Sequence, residues 1–274
     1  TPKRTDVIRR LVVDHEKDPE RIKLISGSTL DNKANLSADY IRQVHDKYKG
    51  SALERQELYG EFVDSVEGAM WQEDYFQLKP LPDGHEIDMA TVIAVDPGVT
   101  SGGDATGIIV VKTTLERDLT ERKAWICEDL TVQGSPEEWA TRVSEAYERH
   151  STEFRPPIVI VEGNQGGELL RTVLLQENPR MQLAIIPAVK SKQARAEPVA
   201  HAYRRGRVFH VEDADLGDLE EEMLNWEPGI SKWSPNRLDA AVHGIVSVFF
   251  DPKPLGRFSR ILIGNMASNV TMAS

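Results

Sequence analysis

Three apolar runs of the β type follow one another without an intervening helix, and this feature constrains the fold more than any other. The runs are TVIAVDPG, TGIIVVKTT and KAWICEDLTV. A helix then begins at Ser135-Pro136, where a serine cap, a proline and Glu138 form a helix-start signal. The apolar segments PPIVIVEG, MQLAIIPA and RVFHV alternate with further helical segments. The order βββ-α-β-α-β-α-(β)-α-α predicts an α/β fold, with a mixed sheet flanked by helices on both faces.

Two of these strands end in a carboxylate, and a third carboxylate opens a helix. Asp96 closes TVIAVDPG, Glu162 closes IVIVEGN, and Asp239 lies in SPNRLDAAVHG. In this strand order the first and fourth strands are expected side by side, which brings Asp96 and Glu162 to one edge of the sheet. Because clustered carboxylates repel one another, they need a cation among them. The pattern therefore predicts a site for one or two Mg²⁺ or Mn²⁺ ions, and such sites usually act on phosphate.

Each of these residues also has a structural interpretation. A lone carboxylate at a strand or helix end is as often a cap as a ligand. Asp104 lies in the glycine-rich SGGDATG and is equally well explained as a turn former or as an accessory metal ligand. His243 shares a helix face with Asp239 and either touches water or phosphate or has a structural partner. DPGVTSGG also resembles a phosphate loop of sugar-kinase-like ATPases, but the second copy that such proteins carry is missing.

Basic side chains are concentrated between residues 190 and 207, although the whole chain has a net charge of -11. This segment fits the sugar-phosphate backbone of DNA, and a solvated helix face is the alternative interpretation. The candidate DNA contacts are Lys190, Lys192, Arg195, Arg204 and Arg205.

The region before these elements has too few segments to complete a sheet of its own. It contains an apolar helix near residues 7–12, a strand over RIKLISGS, a helix from Ser37 to Tyr48 and a helix in ALERQELYGEFV. LKPLPDG is the best linker, and ILIGNMASNVTMAS has no periodicity. We therefore expect three parts, namely a small mostly helical segment (1–80), a larger α/β domain (85–255) and a flexible tail (256–274).

Several blocks of the chain resemble the large terminase subunit of tailed bacteriophages, the motor that packages DNA into capsids. The blocks are ELYGEFVDSVEGAMW, AVDPGVTSGGDATGI, IVIVEGNQGG, KSKQARAEPVAHAYRRGRV and SPNRLDAAVHG. The resemblance implies an RNase H-like nuclease domain preceded by the end of an ATPase domain. It also implies that Asp96, Glu162 and Asp239 are catalytic metal ligands, with Asp104 as an addition.

The expected function is metal-dependent cleavage of double-stranded concatemeric viral DNA during packaging, by a two-metal hydrolysis. The expected partners are DNA, a portal protein and a small terminase subunit, in the host cell cytoplasm. No apolar run is long enough for a membrane span, and the single cysteine, Cys127, excludes an internal disulfide.

The family's ATPase needs a GxxxxGK[ST] loop and an acidic Walker B strand, and neither occurs in these 274 residues. ATP hydrolysis by this chain alone is therefore not expected. Two alternatives stay open: a resolvase- or transposase-type RNase H-like nuclease, and a catalytically silent module that grips DNA and docks to the portal.

Overall fold

A computed structural model describes residues 6–49, 52–63, 69–82, 89–98, 105–152, 155–163, 166–187 and 189–250. The chain divides into two compact units. The first comprises Thr1–Glu73 and Glu220–Pro235, and the second comprises Asp74–Leu219 and Asn236–Ser274. The expected tail, 256–274, lies outside the described residues, and the three-part division remains a proposal.

The first unit is mostly helical. It contains α1 (Asp6–Lys17), α2 (Ala38–Tyr48) and α3 (Ala52–Tyr59). α2 begins where the sequence predicts, because the side chain of Ser37 accepts a hydrogen bond from the backbone N–H of Tyr40. The strand expected over RIKLISGS is not formed, and residues 23–28 have no regular structure. A strand needs neighbouring strands for its hydrogen bonds, and the described part of this unit contains none.

The second unit is built on a seven-stranded sheet. Its strands are β1 (Leu78–Lys79), β2 (Met89–Asp96), β3 (Gly107–Thr114), β4 (Ala124–Asp129), β5 (Ile158–Glu162), β6 (Leu183–Ile186) and β7 (Val208–Val211). They lie in the order β1-β7-β4-β3-β2-β5-β6. β2, β3 and β4 are antiparallel neighbours, whereas β5, β6, β7 and β1 join in parallel. The mixed sheet predicted from the sequence is thus confirmed, including the pairing of the first and fourth apolar strands.

Helices cover both faces of this sheet. They are α4 (Pro136–His150), α5 (Gly167–Glu177), α6 (Lys192–Arg204) and α8 (Asn236–Phe249), whereas most of α7 (Gly217–Asn225) belongs to the first unit. Side chains at alternate positions of a strand point to opposite faces. Accordingly, Ile93 and Val95 pack in a buried core with α4 and α5, while Ala94 and Val111 face Gly244 of α8. No described helix is both long and apolar enough to cross a membrane.

The segment LKPLPDG differs from a simple linker. Leu78 and Lys79 form β1, which pairs in parallel with β7 at one edge of the sheet. The local Pro and Gly content indicates a break in the chain but gives no information about a partner strand that is 132 residues away in sequence.

Candidate active site

The three carboxylates singled out in the sequence lie together in the second unit. Asp96 is the last residue of β2, and Glu162 is the last residue of the adjacent parallel strand β5. Asp239 lies in the first turn of α8, which packs across β2 and β3. Both Asp239 and Glu162 act electrostatically on Asp96. The sheet order and the start of α8 therefore bring together groups that are far apart in sequence.

The close approach of α8 to the sheet depends on a glycine. Gly107 is the register partner of Asp96, and a Cβ at this position would lie 2.0 Å from the backbone oxygen of Asn236. The side chain of Asn236 donates to the backbone oxygen of Ala105 over 2.5 Å. Arg237 donates from Nε to Oδ2 of Asp129 at the end of β4, over 2.8 Å. These contacts fix the first turn of α8 and, with it, the position of Asp239.

Asp96 has a strongly raised pKa. Burial raises its pKa, the charges of Asp239 and Glu162 raise it further, and the result is a pKa of about 8. Lys192 and Arg195 offset only part of this effect. In the absence of another cation, Asp96 is thus a largely protonated carboxyl at neutral pH, which is the behaviour of an acid crowded by like charges.

Glu162 is held in the opposite state by two neighbours. Arg195 donates from Nη1 to its Oε2 over 2.9 Å, and Nε2 of His243 also contacts this oxygen. Burial alone would raise the pKa of Glu162, but the hydrogen bonds from His243 and Arg195 outweigh it and lower the pKa to about 2. Glu162 is therefore a permanent anion in this arrangement.

Asp239 is almost completely buried, with 1% of its surface exposed. Burial raises its pKa, and the ion pair with Lys192 lowers it in part. Nη2 of Arg195 lies 3.9 Å from Oδ1 of Asp239, so that one guanidinium reaches both Asp239 and Glu162. His243, one helical turn after Asp239 on α8, is 6% exposed and completes the cluster.

The donor chemistry of this cluster fits a hard divalent cation, because all three acidic groups offer carboxylate oxygens. In the described parts of the chain, however, no three His, Cys, Asp or Glu side chains stand ready to hold a metal ion. Two of the carboxylates instead contact cations of the chain itself, Arg195 and Lys192. Asp104, the expected additional ligand, lies outside the described residues.

Comparison with known proteins identifies the family. The family model of the terminase RNaseH-like domain matches residues 93–247, which is more than half of the chain and includes all three carboxylates. The chain belongs to this family. No curated protein matches it.

Solved terminase structures have the same fold as this terminase-family chain. The large terminase of the thermophilic bacteriophage D6E is 15% identical with a TM-score of 0.50, over 81% of this chain and 54% of that protein. The P22 large terminase nuclease domain is 14% identical with a TM-score of 0.50, over 69% of this chain and 97% of that domain. At such identities the likeness shows the RNase H-like fold alone. The resemblance found in the sequence is confirmed, and the chain spans about half the length of the D6E protein.

The basic residues predicted to contact DNA fall into two groups, one near the carboxylates and one exposed. Lys192 and Arg195 lie in the first turns of α6 and face the carboxylates. Lys190, Arg204 and Arg205 are exposed, and the two arginines lie at the far end of α6. The exposed residues remain candidates for DNA contact.

The inward direction of Arg195 was not expected from the sequence. Arg195 is 9% exposed and lies on the same side of α6 as the buried Val199 and Ala202. Spacings of four and seven residues place these side chains on one face of a helix, so the sequence does contain evidence that Arg195 points inward. The high local positive charge favoured an exposed segment instead. Gly107 and Asn236 were also missed, because a glycine within an apolar run does not reveal which backbone approaches it.

Proposed function

We propose that this chain is a divalent-cation-dependent endonuclease that cuts concatemeric double-stranded viral DNA during genome packaging. The observation that carries the proposal is the convergence of Asp96, Glu162 and Asp239 at one edge of an RNase H-like sheet, within a terminase-family domain. The acidic cluster supports this action because carboxylates can hold divalent cations. Such cations neutralise the negative charge that a phosphodiester carries.

The proposed ligands of one or two Mg²⁺ or Mn²⁺ ions are Asp96, Glu162 and Asp239, with Asp104 as an additional candidate. When bound, such ions activate water and stabilise the leaving oxygen of a phosphodiester. Asp96 lies on β2, which pairs with the strand of Glu162 and packs against the helix of Asp239, so it would hold a cation together with either neighbour.

The surrounding residues have proposed roles of their own. Arg195 keeps Glu162 ionised and oriented, and His243 contacts the same carboxylate from α8. Lys190, Arg204 and Arg205 are exposed and are proposed to bind phosphates of the DNA backbone, which carry no base information. Low sequence specificity follows from such contacts.

The context of the proposed activity comes from the family. The full packaging machine is proposed to include a portal protein and a small terminase subunit in the host cell cytoplasm. Residues 1–80 are proposed to be the end of an ATPase domain and its linker. A silent DNA-gripping module is the competing function, and it is favoured by the contacts of Asp239 and Glu162 with Lys192 and Arg195.

The deciding experiment is nicking of supercoiled plasmid by the purified chain with Mg²⁺ or Mn²⁺, with EDTA as the first control. Asp96→Asn should abolish nicking and the thermal stabilisation by Mn²⁺, because it removes a ligand charge. The asparagine is close in size to the aspartate, so the fold should be retained. Asp213→Asn, at an exposed position in the turn after β7, is the matched control and should nick normally. Nicking by Asp96→Asn at the rate of the parent would contradict the assignment of the site, and DNA binding without any nicking would favour the silent module.

A further inference from the structure

Two cations from the first turns of α6 contact the carboxylates, and they differ in their access to water. Arg195 has a side chain that is 10% exposed and reaches both Glu162 and Asp239. Lys192 contacts Asp239 through Nζ, yet 43% of its side chain is exposed while that of Asp239 is 2% exposed. Lys192 therefore extends from the surface to the acidic cluster, whereas Arg195 is enclosed.

The chemistry of the two side chains accentuates this difference. A guanidinium is planar and held by several directional hydrogen bonds, whereas the lysine ammonium is a compact charge on a flexible stem. The stem of Lys192 allows the ammonium to move into water without any change in the backbone of α6. The enclosed guanidinium of Arg195 has no comparable route.

The position of Lys192 is that of a counter-ion. Its ammonium pairs with Asp239, and its charge also acts on Asp96, so it offsets part of the negative charge of the proposed ligands. A divalent cation that binds these oxygens has to compete with this ammonium, since both need the same negative charge.

We propose that Lys192 is an exchangeable internal cation that occupies the carboxylate site in the metal-free protein and leaves it when a divalent cation binds. This inference rests on the proposed function, because it assumes that the carboxylates bind metal. It makes Lys192 a positioning residue that sets the metal affinity, in contrast to Arg195, which stays with Glu162 in both states.

The first test measures Mn²⁺ affinity by calorimetry in the absence of DNA. Replacing Lys192 by Met removes the competing ammonium, and a charge-assisted hydrogen bond of this kind corresponds to a gain in affinity of about tenfold or more. Lys190→Met is the matched control, since Lys190 is an exposed lysine two residues away. It removes the same charge and should change the affinity by less than about threefold, in keeping with screening of exposed charges.

The second test uses the unmodified protein, so it does not depend on whether a variant folds. Lysine side chains are labelled with an amine-reactive ester, and the modification of Lys192 relative to Lys190 is quantified by mass spectrometry with and without Mg²⁺. The metal should raise the ratio severalfold, because it releases the Lys192 ammonium into water. Removing the Mg²⁺ with excess EDTA should restore the low ratio.

The outcomes separate this inference from the proposed function. If the unmodified chain binds Mn²⁺ but Lys192→Met binds it no more tightly, and labelling is unaffected by Mg²⁺, the internal-cation role is wrong while the nuclease proposal stands. Weaker binding by Lys192→Met would also overturn it, since the lysine would then support the ligands. If neither protein binds Mn²⁺, both proposals fail.

Discussion

Arg195 places a permanent positive charge between two acidic side chains in the second unit. Its Nη1 donates to Glu162 over 2.9 Å and its Nη2 lies 3.9 Å from Asp239. The desolvation of three charged groups is unfavourable, so the arrangement is stable only while all partners are present. The role of a single residue here is to make a buried acidic cluster compatible with folding.

We predict that Arg195→Met destabilises the protein by about 3 kcal/mol, the usual cost of removing one partner of a buried ion pair. Urea denaturation in the absence of metal measures this change. Arg204→Met, at the exposed end of the same helix, removes a cation–π contact with Tyr75 and should cost about 0.5 kcal/mol. Equal effects of the two substitutions would show that the buried pair contributes little to the free energy of unfolding.

At the scale of elements, the site depends on how closely α8 approaches the sheet. Gly107 opposes Asp96 in the β2–β3 ladder, and the backbone oxygen of Asn236 occupies the space of a side chain at Gly107. Further along α8, a Cβ at Gly244 would lie 2.9 Å from Val111 and 3.2 Å from Ala94. Two glycines, one on each element, therefore allow the contact that carries Asp239 to the sheet edge.

Gly107→Ala should force the first turn of α8 away from β3. Because a Cβ would lie 2.0 Å from a backbone atom, we expect a loss of about 1–3 kcal/mol, as for other overpacked sites. The rate of plasmid nicking should fall even under conditions in which the variant is fully folded, since Asp239 moves with the helix. Gly217→Ala is the control, because nothing lies within 4 Å of its added Cβ, and it should change the stability by less than about 1 kcal/mol.

A second inter-element contact joins β4 to the end of α4. Glu128 on β4 accepts hydrogen bonds from His150 over 2.6 Å and from Arg149 over 2.5 Å. The hydrogen bond from His150 is the main cause that lowers the pKa of Glu128 from 4.5 to about 2, with a further contribution from Arg149. A carboxylate with a lowered pKa stabilises the folded state above its unfolded pKa and loses this effect as the pH falls towards the folded pKa.

Glu128→Gln should therefore lower the free energy of unfolding by about 1 kcal/mol at neutral pH, a figure reduced for the partial exposure of the pair. The difference from the parent should shrink as the pH falls from 4.5 towards 2. Urea titrations at several pH values measure it. Glu145→Gln, at an exposed position of α4, is the control for the substitution itself, and a constant difference for Glu128→Gln down to the lowest pH would contradict the prediction.

Elements of the second unit could be predicted because each one carries its own local signal. Ser135 and Glu138 form the expected capping box, and Trp139, Val143 and Tyr147 are buried on one face of α4 as their spacing indicates. The strands with carboxylates at their ends could be found for the same reason. What could not be predicted was non-local, such as the parallel pairing of β1 with β7 and the lack of a partner strand for RIKLISGS in the described part of the first unit.

The partners of the carboxylates were beyond prediction for a related reason. Asp239 and Glu162 were found from strand and helix ends, but their contacts depend on the packing of α6 against α8. That packing decides that Lys192 and Arg195 face the acidic cluster while Arg204 and Arg205 stay exposed. Charge along a sequence indicates which residues are basic, whereas only the tertiary fold separates buried counter-ions from surface contacts.

At the scale of the whole molecule, nucleotide chemistry and DNA cleavage have different requirements. ATP hydrolysis by a packaging motor needs a phosphate-binding loop and an acidic strand that positions magnesium. The 274 residues contain no GxxxxGK[ST] sequence, while Asp96, Glu162 and Asp239 all lie in the second unit. The proposed nuclease therefore has its own site independently of any nucleotide.

We predict that the purified chain nicks plasmid DNA with Mn²⁺ in the absence of ATP and hydrolyses no ATP. Adding ATP should change neither the rate of nicking nor the pattern of products, because the sequence contains no GxxxxGK[ST] loop that would hold the phosphates of ATP. Phosphate release in a coupled assay and gel analysis of the same reactions measure both activities, and Asp96→Asn controls for contaminating nucleases. ATPase activity that copurifies with the chain and disappears on substitution within residues 1–80 would show that this region binds nucleotide after all, and the division between motor and nuclease would then have to be redrawn.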